Sequence, residues 1–462
     1  MPAQPSPRFP SDPERGGVNA PLRSPGLTDA AGAVPYSGSH TWQIHPHDPA
    51  SLVRDGRPFL PLGVYARTIL TRRDADVGRL MLSLAAHRAN CIAWDLLPES
   101  FAAVPNAPAA QWPWPLDHSG GGLLFERFHS AYFARLEVLL HALSESNVAI
   151  LLRTPTPDRA RALQIPHDAW RALLAEVADR AAAYPQAAFA VDCDGYLPTV
   201  AELRSHLPDA ETAAFLESPT AGDGAGAIDS ACVDALDDLR PRPRLLWLHA
   251  DSLLRPLPAA PRWSGPVMHS FQRPSDHAVL VPTPGGPDKP GGPGGNAAAQ
   301  ALGPAANPLR LSFDPAYLAA AWNSFLQGAG LLWSYASVGI FQAPLRDLAP
   351  MQGFARIIEE LRIDWTGLSA ARHLFGSDLV LQPVAAQARG GAILAFYPAV
   401  PDSGIHAWLR PVAHRLVWYR PVEAAVVYSA GGIVGTAYAP AAIPAPHDLV
   451  GQPAVLALVP EN

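Results

Sequence analysis

The stretch that decides the fold is Ala187-Ala-Phe-Ala-Val-Asp-Cys-Asp-Gly-Tyr196, an apolar run that stops at two carboxylates, Asp192 and Asp194. Its apolar half predicts a buried β-strand. If the strand continued through both acids, their side chains would share one face, because residues two apart on a strand point the same way. Two acids on one face repel each other and raise at least one pKa, which is typical of functional sites. In a barrel of parallel strands, catalytic residues lie at this carboxyl-terminal edge.

A strand followed by a helix recurs on both sides of this stretch. Apolar runs bounded by turn residues predict eight strands, at residues 58–65, 90–97, 148–153, 189–192, 245–249, 267–271, 309–313 and 331–335. Apolar residues at helical spacing predict helices between most of them, at residues 72–88, 132–146, 167–184, 233–239 and 315–327. This alternation predicts an α/β fold, a (β/α)8 TIM barrel. An open doubly wound sheet is the alternative, but no glycine-rich phosphate loop follows the first strand.

The chain is predicted to divide into three parts. Residues 1–38 are rich in Pro, Gly and Ser without periodicity, which predicts a disordered arm. Residues 39–375 form the barrel domain, with a flexible Gly/Pro loop at 283–307. Residues 376–462 contain short β-like runs separated by turn residues, which predict a small antiparallel β-sandwich.

Composition and charge exclude several classes of function. The net charge of −7 gives no reason to expect nucleic acid or an anionic membrane as a partner. No apolar run is long enough to span a bilayer and no secretory signal begins the chain, so we expect a cytoplasmic location. Cys91, Cys193 and Cys232 lack metal-site spacing and predict no disulfide framework. We therefore expect no metal and no cofactor; the oligomeric state stays open.

Several phrases of the chain resemble glycoside hydrolase barrels. Asp55-Gly-Arg-Pro-Phe-Leu-Pro-Leu-Gly63 resembles their opening strand. Residues 180–196 resemble the fourth-strand region of β-galactosidase-like barrels, in which an Asp-Asn-Glu phrase carries the acid/base glutamate. Here Cys193 stands in place of the asparagine and Asp194 in place of the glutamate. Residues 317–333 resemble a segment of apiosidase-like barrels, which also carry a C-terminal sandwich.

This resemblance implies hydrolysis of glycosidic bonds by two carboxyl groups that flank the bond. In such barrels one acid follows the fourth strand and the other the seventh. The implied pair here is Asp194 as general acid/base, with Asp192 as its alternative, and Asp314 as nucleophile or base. Both are one methylene shorter than glutamate, and a displacement of about 1 Å can cost roughly 100-fold in rate.

The same resemblance implies a carbohydrate substrate and suggests which side chains contact it. Trp333 follows the eighth predicted strand and suits a sugar-stacking platform, because the flat face of a pyranose packs on an indole. The other residues expected to line the cleft are Trp94, Tyr65, His249, His269 and Tyr196.

Two other functions compete with hydrolysis by carboxylates. Loss of both glutamates and of the asparagine favours a catalytically inactive barrel that binds carbohydrate or a protein partner. A metal-dependent barrel hydrolase is the third hypothesis, because His249, Asp251 and His269 include a His-x-Asp pair suited to a metal.

Ordinary structural roles also account for several of these candidate residues. Asp194-Gly195 is a turn dipeptide, and Asp314 before proline is a helix-start signature. Trp94 and Trp333 are equally suited to a hydrophobic core. Glu217 lies in a helix-like Ala/Leu stretch and is predicted to be a surface residue.

Overall fold

The computed structural model describes residues 43–67, 69–71, 77–97, 112–117, 122–146, 148–217, 243–250, 265–272, 315–334, 349–363, 368–376, 383–436 and 438–461. The strands in these ranges form a closed parallel barrel of eight strands, a three-stranded sheet before it, and sheets of six and two strands after it. A TIM barrel followed by an antiparallel C-terminal domain is confirmed. The predicted arm (1–38) and loop (283–307) lie outside the described residues.

The elements follow one another in βα order through the barrel. The leading sheet consists of β1 (Gln43–His45), β2 (Asp48–Arg54) and β3 (Arg57–Phe59). The barrel strands are β4 (Leu62–Tyr65), β5 (Cys91–Asp95), β6 (Ala149–Thr154), β7 (Ala187–Asp192), β8 (Thr212–Glu217), β9 (Leu245–Ala250), β10 (Val267–Gln272) and β11 (Gly330–Ser334). The α-helices are α1 (Val77–Ala86), α2 (Ser130–Glu145), α3 (Pro157–Ala162), α4 (His167–Ala181), α5 (Tyr196–His206), α6 (Pro315–Leu326) and α7 (Ala349–Leu361).

The fifth strand of the barrel was missed by the sequence prediction. β8 forms from Thr-Ala-Ala-Phe-Leu-Glu, a short apolar run that periodicity cannot assign to helix or strand. The predicted strand at 309–313 lies outside the described residues, and β10 pairs directly with β11, so no strand stands between them in the barrel. The strands predicted as fifth and sixth are the sixth and seventh.

The side chains that fill the interior of the barrel are small on one side and aromatic on the other. Alternate residues of β5, β6 and β7 face inward as alanine, cysteine or leucine. Opposite them, the ring of Tyr65 lies 4.7 Å from that of Trp247, and Trp247 lies 4.7 Å from Phe215. The small side chains leave room for the three rings.

The first two barrel strands approach unusually closely. A Cβ built on Gly63 would lie 1.6 Å from the carbonyl oxygen of Cys91, so no other residue fits at this point of β4.

The opposite faces of the strands pack against the helices and form the main hydrophobic core. Inward-facing residues of α2 and α4 cover this face of the barrel, among them Phe133, Leu136, Leu140, Trp170 and Leu173. No described helix has the length and the apolar character that crossing a bilayer requires.

The C-terminal sheets pack against the barrel through α6 and α7. Their strands are β12 (Ser369–Ala370), β13 (Val384–Gln387), β14 (Ile393–Tyr397), β15 (His406–Ala407), β16 (Ala413–Arg420), β17 (Ala425–Val434), β18 (Ala441–Ala442) and β19 (Ala454–Pro460). The six-stranded sheet runs in the order β12-β13-β14-β19-β16-β17. The ring of Trp322 on α6 stacks on Phe396 of β14 at 6.0 Å and lies 4.0 Å from Phe354 of α7. One core therefore runs from the barrel helices into the sheet.

Candidate functional site

Four polar side chains meet at the carboxyl-terminal end of the barrel, which we call the mouth. Tyr65, Asp95 and Asp192 are the last residues of β4, β5 and β7, and Arg153 is the second-last of β6. Strand alternation turns them inward, because each continues the series of inward-facing residues below it. We refer to these four residues as the mouth cluster.

Arg153 joins two carboxylates within the mouth cluster. Its Nε donates to Asp192 Oδ1 at 3.1 Å, and its Nη1 donates to the Tyr65 hydroxyl at 3.1 Å. The same Nη1 lies 3.6 Å from Asp95 Oδ2, while the Tyr65 hydroxyl donates to Asp95 Oδ1 at 2.6 Å. Each carboxylate thus has a charged partner, which offsets the cost of burying it.

The guanidinium of Arg153 is held from a third side by an aromatic ring. Its Cζ lies 3.8 Å from the centre of the Phe215 ring, a cation–π contact. Arg153 is 4% exposed, so its position is set by these contacts rather than by solvent.

Burial shifts the proton affinities of the cluster. Burial raises the pKa of the Asp192 carboxyl, and the positive charges of Arg153 and Arg159 offset this only in part. Burial and the negative charge of Asp95 raise the pKa of Tyr65 well above its ordinary value, so the phenol remains a hydrogen-bond donor.

A small recess opens beside the cluster. It is a shallow depression with no enclosed space for a water molecule, and it is lined by Asp95, Leu97, Arg153, Thr154, Pro155 and Arg159. Charged groups and a hydroxyl therefore surround it on the side of β5 and β6.

The two acids of the opening sequence stretch do not share a strand face. β7 ends at Asp192, and Cys193–Gly195 form a 3₁₀ turn in which Asp194 is exposed. The turn packs tightly on the N-cap residue of α3, since a Cβ on Gly195 would lie 2.4 Å from Thr156 Cβ. Only Asp192 belongs to the mouth cluster.

Three residues expected in the cleft lie elsewhere. Trp94 is fully buried on the helix-facing side of β5. Tyr196 begins α5, is buried in the same core, and shares a 2.7 Å hydrogen bond with the Thr212 hydroxyl. His269 lies mid-strand in β10, opposite in face to Met268 and Ser270, and burial lowers its pKa to about 4.

Other predicted residues are placed only by the backbone or not at all. His249 is the fifth residue of β9, and Trp333 is the fourth of β11, paired with Val64 and Phe271. Asp251 and Asp314 lie outside the described residues. The helix α6 begins at Pro315, the residue after Asp314, as the Asp-Pro signature predicted.

Of the three residues of the metal site considered from sequence, the strand register places His249 and His269, and Asp251 lies outside the described residues. The register pairs His249 with Ser270, not with His269. Over the described part of the chain, no three His, Cys, Asp or Glu residues come together in a way that would hold a metal ion.

Asp95 and Arg153 were not recognised from the sequence, although a signal for both was present. Each is a charged residue at the end of an apolar strand run, Cys-Ile-Ala-Trp-Asp95 and Ala-Ile-Leu-Leu-Arg153. Glu217 carries the same signal: it is the last residue of β8, paired with His249, and does not lie in a helix.

Comparison with known proteins identifies relatives by structure alone. No known family and no curated protein sequence matches this chain. A glycoside hydrolase family 5 protein from Bacteroides vulgatus is similar over 92% of this chain and 93% of its own, with 12% identity and a TM-score of 0.58. The chain shares the barrel fold of that protein.

Two further structures agree with that glycoside hydrolase fold. A putative glycoside hydrolase from the same bacterium matches 92% of this chain and 83% of its own, with 12% identity and a TM-score of 0.58. A protein described as a glycoside hydrolase matches 91% and 97%, with 10% identity and a TM-score of 0.53. At these identities the likeness concerns the fold and assigns no role to any side chain.

Proposed function

We propose that the mouth of this glycoside hydrolase-like barrel binds a carbohydrate, with the mouth cluster as its polar recognition surface. One observation carries the proposal: two carboxylates, Asp95 buried and Asp192 partly buried, are joined by one arginine beside a shallow depression of the barrel mouth. Sugar hydroxyls both donate and accept hydrogen bonds, so paired carboxylate and guanidinium groups suit them. The carboxyl ends of barrel strands are where this fold places its ligands.

The chemistry at the mouth favours binding over hydrolysis. Hydrolysis by the carboxylate route needs two acids that flank the bond, one from the fourth strand and one from the seventh. The seventh strand, β10, carries no acidic residue between Val267 and Gln272. On the fourth strand, Asp192 is paired with Arg153, and Asp194 lies exposed in the following turn.

Asp192→Asn tests the binding site with little change of shape. We expect the full-length protein to bind one or more members of a panel of oligosaccharides in titration calorimetry, and the variant to bind that ligand at least about tenfold more weakly, because a charge-assisted hydrogen bond is lost. Asp168→Asn, an exposed residue on the first turn of α4, is the matched control and should bind as the wild type does. Equal binding by both variants would remove the mouth cluster from recognition.

Hydrolysis is the second candidate, and the raised pKa of Asp192 favours it. A carboxyl that keeps its proton at a higher pH can act as general acid, a role typically worth about 100-fold or more in rate. In this case Asp192 is the acid, and Asp194 or Asp314 is the second carboxylate. The β-galactosidase-like or apiosidase-like subtype belongs to this proposal and is supported by the C-terminal sheets.

A screen of nitrophenyl glycosides separates the two candidates. Turnover that falls at least about 100-fold in Asp192→Asn supports hydrolysis with Asp192 as acid. Turnover lost in Asp194→Asn or Asp314→Asn, but kept in Asp192→Asn, supports the pair implied by sequence. Sugar binding without turnover by the wild type supports the binding protein.

A further inference from the structure

Asp192 is the most exposed member of the mouth cluster. Its side chain is 22% exposed, whereas those of Arg153 and Asp95 are 4% and 5% exposed. A carboxylate only accepts hydrogen bonds, but a protonated carboxyl also donates one. The charge that Asp192 carries therefore decides what the open side of the cluster offers to a ligand.

The groups around Asp192 act on its charge in opposite directions. Arg153 of β6 and Arg159 of α3 favour the charged form, while burial and the negative charge of Asp95 on β5 oppose it. Arg153 does so by direct contact, since its Nε donates to Asp192 at 3.1 Å. Arg159 acts from the neighbouring helix, so its effect depends on where that helix is held.

The other neighbour of Asp192 in the barrel is β8. The register between β7 and β8 places the uncharged Phe215 opposite Asp192, and β8 ends two residues later at Glu217. Among the described side chains, the positive charges that favour the carboxylate thus come from β6 and α3.

Thr156 joins the helix that carries Arg159 to the turn that follows Asp192. It is the N-cap residue of α3, and its hydroxyl accepts a hydrogen bond from the backbone N–H of Arg159 at 3.2 Å. Its carbon atoms lie against the turn: a Cβ built on Gly195 would be 2.4 Å from Thr156 Cβ and 2.5 Å from its Cγ2. Thr156 is buried, so its neighbours on both sides fix its side chain.

The cap matters more here than in a long helix. α3 spans only Pro157–Ala162, and a helix of this length is marginal without contacts to the rest of the protein. Arg159 lines the shallow depression at the mouth. Arg161 on the same helix differs, because it is exposed and pairs with Asp158 at 2.8 Å.

We propose that Thr156 is a positioning residue of the mouth, which acts through Arg159 to favour the charged, hydrogen-bond-accepting form of Asp192. The cap fixes Arg159 on one side of Thr156, and the contact with Gly195 fixes the end of β7 on the other. Their relative position determines how strongly the charge of Arg159 acts on the Asp192 carboxyl. The inference rests on the proposed function for its effect on a ligand, but the charge of Asp192 is measurable without one.

The pKa of Asp192 is the direct readout. We would label the aspartates of the full-length protein with carbon-13 at the carboxyl carbon, follow them by NMR over pH, and assign Asp192 from the signal missing in Asp192→Asn. Arg159→Gln should raise the pKa of Asp192, because it removes a positive charge. Thr156→Val and Thr156→Ala both remove the cap and should raise it too. Thr156→Ser retains the hydroxyl and should keep the wild-type pKa.

A double variant distinguishes positioning from a general structural role. Once Arg159→Gln is present, Thr156→Val should shift the pKa of Asp192 no further, because both changes act through one charge. Arg161→Gln is the matched control and should leave that pKa unchanged. A shift by Thr156→Val of equal size with and without Arg159, or no shift in the single variants, would overturn the inference.

Ligand binding gives a second readout that tests the proposed function separately. With a sugar that binds, affinity should fall as pH is lowered and Asp192 gains a proton, and this fall should begin at higher pH in Arg159→Gln and Thr156→Val. A fall at the same pH in the wild type and both variants would contradict the positioning role. If no sugar binds, the proposed carbohydrate function fails, while the NMR comparison still decides the role of Thr156.

Discussion

Arg153 is the residue on which the charges of the mouth depend. Among the described residues it alone forms ion pairs with both Asp95 and Asp192, and all three side chains are largely withdrawn from solvent. A buried ion pair contributes little net stability, but removing one partner leaves an unpaired charge in the low-dielectric interior of the protein. Arg153 is therefore costly to replace whatever ligand the mouth binds.

Arg153→Met should lower the free energy of unfolding by about 3 to 5 kcal/mol at pH 7. Arg153 lowers the pKa of Asp192 against the effect of burial, so without the guanidinium that pKa should rise further in the folded state. The cost of keeping the Asp192 carboxyl charged then appears only as pH rises above its unfolded pKa. The loss should therefore be smaller at pH 4 than at pH 7 in urea titrations followed by circular dichroism. An equal loss at both pH values would argue against this charge-based explanation.

Two buried groups give pH dependences of opposite sign. Burial lowers the pKa of His269 to about 4, so its contribution is present above pH 6.5 and is lost as pH falls toward 4. Burial raises the pKa of Glu211 to about 7, despite Arg244 at 2.5 Å, so its contribution is present below pH 4.5 and is lost as pH rises toward 7. Between pH 4.5 and 6.5, the two opposite changes in the free energy of unfolding should largely cancel.

Single variants should separate these contributions. In Glu211→Gln, stability should rise with pH between about 4 and 6.5; in His269→Asn, it should fall between about 4.5 and 7. Each slope should amount to no more than about 3 kcal/mol over its range. The measurement is chemical denaturation at half-unit pH steps, and flat profiles in both variants would contradict it.

At the scale of single elements, the contact between β4 and β5 is the tightest constraint on the barrel. Gly63→Ala should destabilise the protein by about 3 kcal/mol or more or prevent folding, because its Cβ meets the backbone of Cys91, which cannot move without breaking the sheet. Gly122→Ala is the control: nothing lies within 4 Å of its Cβ, and its effect should be within about 0.5 kcal/mol. Thermal melts of both variants give the comparison.

Helices and strands were predictable from sequence where the apolar periodicity and the flanking turn residues indicated the same element. The strand at 148–153 and the helix at 167–184 meet both conditions, and β6 and α4 lie within those ranges or next to them. β8 failed because Thr-Ala-Ala-Phe-Leu-Glu suits a helix as well as a strand. Only pairing with β7 and β9 decides its form, and pairing is a tertiary interaction.

The site was harder to predict than the strands, because it depends on register between strands. Tyr65 and Asp192 were both named from sequence and lie in the mouth cluster. Asp95 belongs to the cluster because the register between β5 and β6 places it beside Arg153. No local sequence pattern reveals that register. Asp194 was predicted to share the strand end with Asp192, but β7 ends at Asp192 and Asp194 lies in the turn that follows.

At the scale of the whole molecule, the barrel and the C-terminal sheets share one core through Trp322. Trp322→Ala should cost about 3 to 5 kcal/mol and should destabilise both parts together, because its ring contacts Phe354 and Phe396 at once. Fluorescence and circular dichroism should then report one coincident unfolding transition. Trp408→Ala, at an exposed site, should change stability little. Two separate transitions would show that the two parts fold independently.

The order of strands in the barrel has a consequence for the timing of folding. β4 to β7 pair with their neighbours in sequence, whereas β11 must return from the far end of the barrel to pair with β4. Closing so long a loop costs more chain entropy than any neighbouring pairing, and contacts of large sequence separation form slowly. All four residues of the mouth cluster lie on β4, β5, β6 and β7. Its side chains can therefore gather before the ring of strands is complete, and a late or incomplete closure would loosen the barrel seam while leaving this set of charges assembled.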